Sequence, residues 1–175
     1  MSLERADRPY AAVRREYTAP VAFSAFTRAF ESLLGIMSPD LLANPGSSPA
    51  DARERLAHPV ASSGFALFQK LDHGRLLAAL GLGERMATTY VLGNALIAVE
   101  MTRHAPAIGL YVPPRIYVEA LDEGRVVVTY DLLSTTVAQF GSPEADKVAW
   151  ELDVKLERLI ENAASLAGDT PDSNG

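Results

Sequence analysis

The fold turns on two runs, Arg115-Ile116-Tyr117-Val118-Glu119-Ala120-Leu121 and Arg125-Val126-Val127-Val128-Thr129-Tyr130-Asp131-Leu132, separated by Asp122-Glu123-Gly124. Both are rich in β-branched and aromatic residues that alternate between two sides, which is the two-residue period of a strand. The short polar link ending in glycine makes them a hairpin. Ile116, Val118 and Ala120 lie on one side of the first run, against Tyr117, Glu119 and Leu121 on the other. In the second run Val126, Val128 and Tyr130 alternate with Val127 and Thr129. Both sides are more apolar than a solvated sheet surface, which calls for helices over one and a second copy of the chain over the other.

Outward from the hairpin, Val13 to Thr18 suits a first strand. Pro20 suits the first turn of a helix, because its missing N–H would be unpaired there anyway. Val21, Ala25, Phe26, Ala29, Phe30, Leu33 and Leu34 recur at three and four residues, predicting one helical stripe that stops at Gly35. From Ser38 to Ser63, Pro39, Pro45, Pro49 and Pro59 leave room only for a short helix over Ala50 to Ala57. This is an irregular insertion, placed at 36–63.

Gly64 to Lys70 reads as a short strand, and Asp72 as the cap of a helix that begins at His73 and ends at Gly81-Leu82-Gly83. Thr88 to Leu92 is a strand, and Asn94 opens a helix over Ala95 to Arg103, closed by His104-Ala105-Pro106. Ser142-Pro143-Glu144 starts the longest helix, whose apolar positions from Ala145 to Ala163 keep a 3.6-residue period. The layout is α+β: an antiparallel sheet covered by helices on one face, with a β-α-β-β-β-β-α core and short extra helices. A single domain is expected over 11–167, with a flexible N-terminus at 1–10 and a disordered tail at 168–175.

A chain of 175 residues with 48% hydrophobic and 22% charged residues fits one globular domain. The net charge of -6 argues against a nucleic-acid partner. Arg14-Arg15 and the pair Arg53 and Arg55 do gather positive charge, but Glu16, Asp51 and Glu54 interrupt both groups. The absence of cysteine removes disulfides, thiolate metal sites and thiol nucleophiles. Met1 to Arg15 lacks a signal-peptide core, and no run has the eighteen or so apolar residues of a membrane span. The expectation is a cytoplasmic protein with no membrane partner.

The order strand–Asp72-His73–helix, strand–Gly93-Asn94–helix, Pro106 to Leu110, Pro113 to Glu119 and Val128 to Asp131 resembles the bacterial domain-of-unknown-function family 302. The likeness covers 110 to 130 residues, and its specificity lies in the order and spacing of motifs that are individually weak. It implies a fold similar to the TATA-binding-protein-like class, with dimeric members, and brings no assigned reaction. Asp72, His73, Gly93, Asn94, Arg115, Tyr130 and Asp131 match its motif positions. The chain departs from the family in having Ala95 where members place a proline after Gly-Asn, in Leu132-Leu133 where a proline follows Tyr-Asp, and in its longer insertion.

Those seven residues are also the candidate ligand site. His73 is the candidate acid or base, being of the side-chain type that changes charge near neutrality, although a first-turn position beside the Asp72 cap explains it structurally as well. Arg115 can clamp a carboxylate or phosphate with its planar fork, or pair with Asp131 or Glu119 across the hairpin. Gly93-Asn94 offers backbone N–H groups at a helix N-terminus. Glu100 and His104 stand four apart on one helix, but two ligands do not make a metal site, and His58 lies in the insertion. No P-loop, G-x-S-x-G, G-x-G-x-x-G or H-E-x-x-H motif is present, so neither metal nor cofactor is expected. The leading reading is a homodimer that binds a small anionic ligand. The alternatives are a structural or protein-interaction module, and a hydrolase- or isomerase-like enzyme using His73 as acid or base.

Overall fold

The computed structural model describes residues 3–121 and 124–169. Its strands are β1 (Arg14–Ala19), β2 (Gly35–Ile36), β3 (Ala66–Asp72), β4 (Ala87–Gly93), β5 (Arg115–Leu121) and β6 (Arg125–Asp131). Its helices are α1 (Phe23–Ser32), α2 (Pro39–Ala43), α3 (Pro49–Ala57), α4 (His73–Ala79), α5 (Ala95–Thr102), α6 (Leu133–Val137) and α7 (Pro143–Gly168). The strands form one sheet in the order β1-β6-β5-β4-β3-β2. Every neighbouring pair is antiparallel except β2 with β3. This is an α+β architecture, and without the two-residue β2 its core order is the expected β-α-β-β-β-β-α.

Register decides which side chains the two faces receive. Tyr117 lies opposite Thr129 on β6 and opposite Thr89 on β4, so these three form one row across the sheet. Stepping one residue along each strand turns the side chains to the other face. There Tyr90, Ile116, Val118, Val126 and Val128 are buried beneath α1, α5, α6 and α7. α1 contributes Phe26 and Phe30 to this core, and α7 contributes Leu152, Leu156, Leu159 and Ile160. Each fully buried aliphatic or aromatic side chain stabilises the fold by about 1.5–3 kcal/mol. Tyr90 fastens α1 to the sheet: its hydroxyl donates to Glu31 Oε1 at 2.7 Å, and Lys70 Nζ lies 2.6 Å from the same oxygen.

The caps follow the sequence closely. Asp72 accepts from Arg75 N–H at 2.8 Å, and Asn94 accepts from Leu96 N–H at 3.0 Å and Ile97 N–H at 3.4 Å. Ser142 accepts from Ala145 N–H at 3.3 Å to start α7. α7 runs one residue into the expected tail, to Gly168, and residues 170–175 lie outside the described part, as do Asp122 and Glu123 of the hairpin link.

Several expectations need correction. α1 begins at Phe23, so Pro20 precedes the helix instead of opening it. Gly35 is not the helix stop. It opens β2, where a Cβ would lie 1.7 Å from the carbonyl oxygen of Pro59, so only glycine fits beside that backbone. The insertion carries more structure than one helix: α2, capped by Ser38, precedes α3, which starts at Pro49 behind Ser48. α6 was also unexpected. Its N-terminus is capped from α7, by the buried Asp153 accepting from Leu133 N–H at 2.8 Å and Ser134 N–H at 3.0 Å. The second sheet face carries polar residues beyond those of the hairpin, with Glu16 and Thr89 in register beside it. α4 reaches this face, with His73 bonded to Thr89.

Candidate functional site

Arg115 opens β5 directly after Pro113-Pro114 and projects from the uncovered face, opposite Val91 of β4. A groove of about 300 Å³ surrounds it, lined by Thr89, Tyr117, Thr129 and the Arg14–Asp131 pair. The expected pairing of Arg115 with Asp131 or Glu119 is not what forms. Asp131 is held by Arg14 across the β1–β6 ladder, with Nε to Oδ1 at 2.9 Å and Nη2 to Oδ2 at 3.3 Å. Glu119 accepts from the Tyr117 hydroxyl at 3.2 Å and lies 3.8 Å from Arg85. Among the described residues Arg115 has no acidic partner and is exposed.

His73 approaches the same groove from the start of α4. Its Nε2 is 2.9 Å from Thr89 Oγ1, and its ring centroid lies 6.3 Å from that of Tyr117. His73 and Arg115 therefore share Thr89 and Tyr117 as neighbours. The close seat of α4 depends on Gly74, where a Cβ would fall 1.8 Å from the Arg85 carbonyl oxygen. Burial, and then the charge of Glu119, raises the Tyr117 hydroxyl above its ordinary pKa, and its one proton is donated to Glu119. The groove thus sets one unpaired guanidinium beside the hydroxyls of Thr89 and Thr129, with the His73 imidazole bonded to Thr89 from α4, a set suited to an oxyanion. His73 with Thr89 has the reach of a base–hydroxyl pair, but no third group orients the imidazole among the described residues.

The other expected residues go elsewhere. Asp72 faces its helix cap. Tyr130 contributes to the groove wall, yet its ring is buried on the helix-covered side, stacked on Tyr17 at 6.4 Å and 12°. Gly93 and Asn94 line a different, apolar cavity of about 280 Å³ on the far side of Pro113-Pro114. The Asn94 amide is spent on its cap and on donating to the Gly64 carbonyl at 3.2 Å. Glu100 and His104 are both engaged by Arg103, at 3.1 Å each. The described residues contain no group of three or more His, Asp or Glu placed to hold a metal, and none of their helices is long and apolar enough to cross a membrane.

Sequence reasoning missed Arg14, Thr89, Tyr117 and Thr129. Their signal was present as polar positions alternating with buried ones along β1, β4, β5 and β6, and the register then brings them together.

The fold defines an α+β domain with a polar groove on its uncovered sheet face. The chain belongs to the family described as Domain of unknown function DUF302, whose model matches residues 44–163. The crystal structure of an uncharacterized conserved protein DUF302 from Bacillus stearothermophilus has the same fold, with a TM-score of 0.62 and 11% identity, over 86% of this chain and 97% of that one. No curated protein matches the sequence.

Proposed function

We propose that this chain binds a small anionic ligand, a carboxylate or phosphate, in the groove at Arg115. One observation carries the reading: Arg115 is the cation of the groove that no acid neutralises among the described residues, while Asp131 beside it is already held by Arg14. A planar guanidinium flanked by hydroxyls recognises an oxyanion through paired charge-assisted hydrogen bonds. Thr89 and Thr129 supply further polar contacts, and His73 reaches Thr89 from α4. The test is calorimetric titration with inorganic phosphate, succinate and citrate. A saturable signal from at least one anion, lost in Arg115→Met and weakened in His73→Gln, supports the site. Equal binding by wild type and Arg115→Met removes it.

The homodimer belongs to the same reading. Leu76, Leu80, Leu82 and Met86, on α4 and the segment after it, are all more than half exposed. Arg75, Glu84 and Arg85 intersperse both signs of charge among them, which suits a two-fold contact of this patch with itself. Sedimentation of wild type as a dimer and of Leu80→Glu as a monomer is the expected outcome. A wild-type monomer at every concentration contradicts it.

A further inference from the structure

The structure assigns a second ligand site: the cavity beyond Pro113 takes a small uncharged apolar molecule, of the size of a fused pair of aromatic rings or a short branched hydrocarbon, roofed by Leu42. The cavity has a volume of about 280 Å³, is partly open to solvent, and lies between β3, β4, α5 and α7. An engineered cavity of roughly 150 Å³ lined by aliphatic and aromatic groups stays dry and takes benzene, and this one is about twice as large.

Its chemistry excludes a polar occupant. Phe68, Ala98, Met101, Pro113 and Leu152 form the walls, with no charged residue in the lining. Among the described residues Asn94 is the sole polar side chain there. Its Oδ1 accepts from Leu96 and Ile97 N–H, and its Nδ2 donates to Gly64 O. Water entering the cavity would find few of the two to four partners it needs. An apolar molecule loses nothing there and sheds its hydration.

The roof comes from the insertion. Leu42 on α2 is the one exposed residue of the lining, at 44%. α2 buries none of its own residues. A bound apolar molecule would pack against Leu42 and give α2 a buried side. The site stands apart from the Arg115 groove in both chemistry and position.

The experiment is titration of the full chain with naphthalene and toluene, following the Met101 methyl resonance, with inorganic phosphate as the charged comparison. Expected is a saturable shift of Met101 with naphthalene, weaker with toluene and absent with phosphate. Ala98→Leu, which fills the cavity from α5, should abolish the shift. Leu42→Ala should weaken naphthalene binding at least threefold with little change in melting temperature, and serves alone if Ala98→Leu does not fold. Arg115→Met should leave naphthalene binding unchanged, which separates this site from the anion groove. No saturable Met101 shift with either hydrocarbon overturns the assignment, and so does naphthalene binding that neither cavity variant alters.

Discussion

The two sides of Pro113-Pro114 differ sharply in chemistry. On one side the prolines help wall a cavity whose lining is almost wholly apolar. On the other, a single step to Arg115 reaches the uncovered face, with its hydroxyls and the Arg14–Asp131 pair. No composition difference along the chain separates them. The alternation of a strand does, because consecutive residues point to opposite faces, and only one face of this sheet is roofed by α1, α5, α6 and α7. The lesson is that stability and recognition are interleaved residue by residue in β4, β5 and β6.

The largest expected effect tests that interleaving. Ile116→Ala empties a fully buried position under the helices and should cost about 2–5 kcal/mol of unfolding free energy. Thr129→Ala, on the uncovered face, should cost about 1 kcal/mol or less. Chemical denaturation of both variants checks the contrast, and comparable losses would mean that the second face is as tightly packed as the first.

The caps sharpen the comparison next. Asn94 satisfies two backbone donors and also ties α5 to Gly64, so Asn94→Ala should cost about 1–2 kcal/mol. Asp72 is exposed and caps the shorter α4 through one bond, and Asp72→Ala should cost about 1 kcal/mol or less. Thermal melts that reverse this order would contradict the roles given to the two residues.

The smallest effect concerns Tyr130, whose buried hydroxyl makes no well-formed hydrogen bond among the described residues, its nearest polar neighbour being Tyr17. Tyr130→Phe should change stability by only a few tenths of a kcal/mol at neutral pH, in either direction. Burial raises the pKa of Tyr130, and burial followed by the bond to Glu31 raises that of Tyr90. The folded chain therefore keeps these protons where the unfolded chain releases them. Stability is intact below pH of about 10 and falls as pH rises beyond it. Denaturation curves between pH 8 and 11 should show a gentler alkaline decline in Tyr130→Phe than in wild type.

What was legible in the sequence was local. The hairpin, α7, and the caps at Asp72, Asn94 and Ser142 depend on residues within a turn or two, and each formed where the pattern put it. β2, α2 and α6 were hidden because distant partners create or hold them. β2 exists only as a neighbour of β3, and α6 owes its start to Asp153, 20 residues away in sequence. The candidate site was legible in part. His73 and Arg115 were visible by residue type, and the structure makes them neighbours of one groove. Asn94 was read into the same site, but it lines the apolar cavity, because the end of β4 leads onto the covered side. The capture of Asp131 by Arg14 could not be seen until β1 was placed in register beside β6.

The most direct measurement is the guanidinium resonance of Arg115 during titration with the anion that binds most tightly. The account predicts a one-to-one saturating shift of the Arg115 Nε–H, while Arg14 keeps its bond to Asp131 and moves little. A saturating shift at Arg53 or Arg55 with Arg115 unmoved would contradict it.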